Sequence, residues 1–165
     1  MRLELKKLLS AIAALSVLTI AGPAAIAQDD SLVQFETGAL VIDTDDAQHS
    51  FVIEIADSPA ETAQGLMFRE SMAEDAGMLF DFGAPREPAM WMKNTLIPLD
   101  MLFMDENGVV VAIARNAQPH SERRISPGMA VKSVLELNGG AAGKYGIEPG
   151  DIVRHAIFNN AADVE

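Results

Sequence analysis

From Gly77 onward the chain is cut into short apolar segments by prolines, glycines and Asx residues, and that punctuation restricts it to short strands. The segments are Met78 to Phe82, Ala89 to Thr95, Leu99 to Met104, Val109 to Ala114, Val131 to Leu137 and Ile152 to Phe158. Asp105-Glu106-Asn107-Gly108 separates two of them as a hairpin turn, because Asn-Gly accepts the positive φ angles such a turn needs. Earlier, an apolar stretch from Gln34 to Ile42 and the alternation of Phe51, Ile53 and Ile55 with Val52 and Glu54 add two more strands, separated by the polar turn Asp43 to Gln48. The count is seven or eight strands, which predicts a mostly β chain: a compact sandwich or barrel of mostly antiparallel strands.

One or two short helices complete this expectation. Ser58-Pro59-Ala60-Glu61 places a hydroxyl at the N-cap, proline at N1 and a carboxylate at N3, which is capping-box chemistry. The helix is expected from Pro59 to about Phe68, burying Ala63, Leu66 and Met67, and a second short helix is expected over Gly139 to Tyr145.

The N-terminus is of another kind. Arg2, Lys6 and Lys7 precede an uncharged run from Leu8 to Ile20, then Gly22-Pro23 and Ala25-Ile26-Ala27. This is the pattern of a secretory signal peptide with cleavage after Ala27. The run is shorter than the roughly 20 residues a spanning helix needs, so no membrane span is expected after cleavage. The expected organisation is a signal over residues 1–27, a flexible leader over 28–34, one domain over 35–160 and a tail over 161–165. A periplasmic or secreted location follows. Cysteine is absent, so the core must hold the fold without disulfides.

Twelve Lys and Arg stand against 24 Asp and Glu, a net charge of −12. Such a field repels nucleic acid and anionic head groups, and no nucleic-acid partner is expected. No glycine-rich phosphate loop or nucleophile elbow occurs, and His49, His120 and His155 show no partner spacing.

Chemistry concentrates in Met90-Trp91-Met92-Lys93-Asn94-Thr95-Leu96-Ile97-Pro98-Leu99-Asp100. If 89–95 is a strand, Trp91, Lys93 and Thr95 share one face and Met90, Met92 and Asn94 the other. An aromatic plane beside an ammonium suits a ring-bearing polar ligand such as a sugar; the competing reading makes Trp91 a core residue and Lys93 a solvated edge. Asp100 and Glu136 lie between apolar neighbours, and Arg69 follows the first helix. If any of these points inward it requires a partner or belongs to a site.

The candidate ligand-binding residues are therefore Arg69, Trp91, Lys93, Asn94, Asp100 and Glu136. The leading expectation is a non-catalytic, monomeric binding or accessory domain for a small polar or saccharide-like ligand, an envelope component or a peptide, with no cofactor and no metal. One rival is a hydrolase of envelope polysaccharide with Asp100 and Glu136 as acid and base. Another is a Cu(I)-handling protein that uses the thioethers of Met67, Met72, Met78, Met90, Met92, Met101, Met104 and Met129; against it, methionine is an adaptable core filler.

Gly65-Leu66-Met67-Phe68-Arg69, Gly77-Met78-Leu79-Phe80, Trp91-Met92-Lys93-Asn94-Thr95 and Pro98-Leu99-Asp100 resemble, in order and spacing, the uncharacterised family called domain of unknown function 192. Val134-Leu135-Glu136-Leu137 and Gly146-Ile147-Glu148-Pro149-Gly150-Asp151 match its closing segments, so the likeness runs from about Phe51 to Val153. The resemblance implies a compact, mostly β domain, frequently exported, whose motif polar positions fall on Arg69, Trp91, Lys93, Asn94, Asp100 and Glu136. Met90 stands where members commonly carry an aromatic.

Overall fold

A computed structural model describes residues 33–161; the signal and most of the leader and tail expected from the sequence lie outside them. Strands β1 (Glu36–Asp43) and β2 (Gln48–Ala56) pair as an antiparallel hairpin around the Asp-rich turn. Then follow α1 (Pro59–Gln64), β3 (Ala76–Arg86), β4 (Leu99–Met104), β5 (Val110–Ala117), β6 (Val131–Asn138), α2 (Ala141–Lys144), β7 (Ile152–Arg154) and a 3-10 turn over Ala156–Phe158. The strands form one sheet in the order β5-β4-β6-β3-β2-β1-β7.

This sheet curls until its two edges meet. Val110 N–H donates to the Asp151 carbonyl at 2.9 Å, and Val153 N–H donates to the Gly108 carbonyl at 2.8 Å. Gly108 ends the predicted hairpin turn with φ 82°, and a Cβ there would lie 2.3 Å from the Val153 carbonyl oxygen. Only glycine serves both the turn and the closure.

The sheet is mostly antiparallel, as expected; its one parallel pair, β2–β3, arises because α1 and the loop after it form the crossover that carries the chain back to the same end. Three expectations need correction. Helix α1 stops at Gln64, four residues early: Gly65 leaves the helix at φ 49° and Phe68 takes φ 64°. None of its residues is buried; Leu66, beyond its end, carries the packing. The last strand ends at Arg154, where His155 caps the 3-10 turn by accepting from Ile157 N–H. Residues 89–95 form a loop, touching other backbone as a strand would only at the Met90–Ile125 bridge.

The curl encloses one apolar cluster, with Leu40, Ile42, Phe51, Ile53, Leu79, Leu102, Leu135, Leu137 and Val153 drawn from six strands. A second cluster lies on the opposite face of β3, β6 and β4, where Met78, Phe80, Met101, Phe103 and Val134 are covered by Leu66 and Met92 from the loops. The centre of the sheet is therefore apolar on both sides, and every residue of β4 is buried. A charged residue in the middle of β6 has no wet side to turn to.

Candidate functional site

Glu136 is that residue. Across the sheet it pairs with Met78 on β3 and Met101 on β4, so two methionines flank it, and only 4% of it is exposed. Among the described residues its carboxyl has no hydrogen-bond or ion-pair partner, yet its oxygens are not sealed: Glu136 lines a cavity of about 110 Å³. Burial pushes the carboxyl up to about 8, because nothing compensates the lost hydration of the charged form.

The cavity's walls come from two loops. Gly65, Leu66 and Met67 follow α1, and Gly65 sits against the Phe80 ring, which a Cβ there would approach to 3.1 Å. Ala89, Met90, Trp91, Lys93 and Thr95 come from the loop between β3 and β4. Phe68 N–H donates to the Asn94 carbonyl at 2.8 Å and joins the two loops, with both residues in the left-handed region. Asn94 also turns its amide toward the Met67 sulfur at 3.8 Å. Met92 is fully buried beneath the loop, and its N–H donates to the Ser121 carbonyl at 2.9 Å.

Trp91, Lys93 and Thr95 thus share a cavity without being a strand. Trp91 is 54% exposed, so the reading that makes it a core residue fails. Lys93 is exposed and has no ion-pair partner among the described residues. Thr95 is 5% exposed, its hydroxyl has no protein partner among the described residues, and it too faces the cavity. The site therefore has an unpaired carboxyl and hydroxyl inside an apolar wall, with an ammonium and an indole beside them.

Three predicted residues do not line the cavity. Asp100 is fully buried on β4 and spends both oxygens on the fold: one accepts from Asn116 N–H at 2.7 Å, the other from Ala142 N–H at 2.8 Å. Its cross-strand partner is Leu137, whereas Glu136 pairs with Met101, so the two carboxylates project from opposite faces of the sheet. They cannot flank one glycosidic bond, and the acid–base pair read from the sequence is withdrawn. Arg69 binds Glu54, lies 6.0 Å from the centre of the Phe35 ring, and lines a separate open groove with Phe35 and Phe68. Asn94 supports the loop without lining the cavity. Met90 and Met92 do not share a face, since Met90 lines the cavity while Met92 fills the core below.

The sequence reading passed over Thr62, Leu66, Met67, Phe80 and Thr95 as lining residues. Thr95 was within reach through its parity with Trp91 and Lys93. The others depend on how the crossover loop folds back.

Fold and cavity together define a small domain with one curled sheet, its second face roofed by two loops around a buried acid. The chain belongs to the DUF192 family, described as "Uncharacterized ACR", whose profile matches residues 40–155. It is similar to a crystal structure from Sinorhizobium meliloti 1021, a proposed transcription regulator, with 43% identity and a TM-score of 0.75 over 76% of this chain and 98% of that one. It is also similar to a protein of unknown function from Novosphingobium aromaticivorans DSM 12444, with 38% identity and a TM-score of 0.70 over 72% of this chain and 85% of that one. No curated protein matches the chain.

Proposed function

We propose that this is an exported, non-catalytic binding domain that holds a small polar ligand in the Glu136 cavity. The observation that carries the reading is the Glu136 carboxyl, nine-tenths buried, without a partner among the described residues and lining that cavity. A buried polar group without a partner costs stability, and a ligand that supplies the partner recovers the cost on binding. Trp91 offers a ring face at the same site, and Lys93 and Thr95 offer hydrogen bonds, a combination suited to a sugar-like molecule or a peptide group. Export rests on the basic and apolar leader before Gln28. Among the described residues no helix is long and apolar enough to cross a membrane.

Nucleic-acid binding of the kind a transcription regulator needs does not suit this chain. A net charge of −12 opposes the phosphate contacts on which DNA affinity depends.

A thermal-shift screen against saccharides, envelope fragments and short peptides tests the reading. A ligand at 100 times its dissociation constant stabilises the folded state by about 2.7 kcal/mol. The shift is expected to fall to about half or less in Trp91→Ala and to vanish in Glu136→Leu; a shift undiminished in both removes the cavity from the account.

A further inference from the structure

The polar atoms of the cavity restrict what enters it. Around Glu136 the wall is Leu66, Met67, Phe80 and Met90, with no protein hydrogen-bond donor on the carboxyl among the described residues. An ammonium seated there forces the carboxyl to ionise, so the pair bears two desolvation costs, and it also meets the unpaired Lys93 in the same small space. A carboxylate seated there gains only the exposed Lys93 and must give up its own hydration inside an apolar wall, beside a carboxyl that carries no charge to compensate it. An uncharged group that gives one hydrogen bond and takes another incurs neither cost. It also has two partners waiting, the Glu136 carboxyl and the Thr95 hydroxyl.

We infer that the group this cavity takes in is an uncharged donor and acceptor, a hydroxyl or a primary amide, and that ammonium and carboxylate groups are selected against. The inference rests on the binding reading above and names the chemistry of its ligand. Burial works in the same direction, since it keeps the Glu136 carboxyl in its neutral form, itself both donor and acceptor, through neutral pH. The cavity is small enough that it encloses one such group while the rest of the ligand lies against Trp91.

Three fragments of matching planar shape separate the possibilities: acetamide, acetate and acetamidinium, uncharged, negative and positive. Each is titrated at constant ionic strength into the purified ¹⁵N-labelled protein. The readouts are the Thr95 amide and the indole N–H of Trp91, which is unambiguous because the chain has one tryptophan. Acetamide is expected to half-saturate these signals at a concentration at least about tenfold below either ion, a difference of about 1.4 kcal/mol. Glu136→Gln, which keeps one donor and one acceptor, retains acetamide binding within about threefold, while Glu136→Leu and Thr95→Val weaken it; the dispersion of the same spectra reports whether each variant is folded.

Stronger binding of acetamidinium, lost in Glu136→Gln, overturns the inference and leaves the binding reading standing. Stronger binding of acetate does the same. If none of the three moves the Thr95 and Trp91 signals, the cavity admits no small polar group, and inference and binding reading fall together.

Discussion

Replacing Glu136 by glutamine is expected to stabilise the domain by an amount that grows with pH. The folded protein holds its proton up to about pH 8, whereas the unfolded chain releases it near the ordinary glutamate value of 4.5. Between those limits the folded state binds more protons than the unfolded state, so the Glu136 contribution is fully present below 4.5 and is lost as pH rises toward 8. Each pH unit in the window removes about 1.4 kcal/mol, so the loss by pH 7 is on the order of 3 kcal/mol. Glutamine has nearly the shape and hydrogen-bonding of the neutral acid and does not titrate.

The two proteins should therefore unfold together near pH 4.5 and separate steadily above it, by roughly 10 °C at pH 7 for a domain of this size. His155 has the opposite sign: burial lowers its value below 6.5, so its contribution is present above that range and is lost on acidification. It is present in both proteins and cancels in the difference. Calorimetry of the pair at four pH values from 4.5 to 8.5 measures it directly. A difference that does not change with pH, or a glutamine variant less stable at every pH, would refute the reasoning, because it would mean that the carboxylate is charged and paired in the native state.

Asp100→Asn should cost about 3 kcal/mol in urea denaturation, because an amide nitrogen then faces one of two buried N–H donors, while ligand binding by the folded fraction stays unchanged. Gly108→Ala should destabilise by more than about 2 kcal/mol, since its Cβ meets the Val153 carbonyl at the closure of the sheet; a near-neutral effect on the melting temperature would show that the edges are not joined there. Trp91→Ala should leave stability within about 0.5 kcal/mol of the parent, as befits an exposed side chain, and weaken any cavity ligand about tenfold or more in calorimetric titration. Protein recovered from the periplasm should begin at Gln28 by N-terminal sequencing; retention of Met1 there would contradict cleavage.

Much of the architecture was legible because each signal was local. Asp105-Glu106-Asn107-Gly108 turns where its φ preferences demand, with the Asp105 carboxylate accepting from Asn107 and Val109 N–H. Ser58 and Glu61 close the capping box their spacing announced. The length of α1 was misjudged because the apolar spacing of Leu66 and Met67 continues past Gly65, while the backbone does not. The parallel β2–β3 pair depends on a crossover that no short window reveals.

The site was half legible for a related reason. Trp91, Lys93 and Glu136 stood out as chemistry in apolar company, and they line one cavity. Asp100 looked equivalent to Glu136 in sequence, yet strand parity sends it through the other face of the sheet to two backbone amides. Arg69 carries the same motif signal, but Glu54 on the adjacent strand claims it. Which buried acid is left without a partner among the described residues is settled by long-range contacts, which supply two backbone amides to Asp100 and none to Glu136.

Carboxyl ¹³C spectra of protein labelled at glutamate, recorded as the pH is raised and again with each stabilising ligand from the thermal-shift screen, test the central claim most directly. The account predicts one carboxyl that titrates near 8, disappears in Glu136→Gln and shifts when the ligand is added. A Glu136 carboxyl that titrates with the exposed glutamates, or that stays unmoved by every ligand that stabilises the protein, would contradict it.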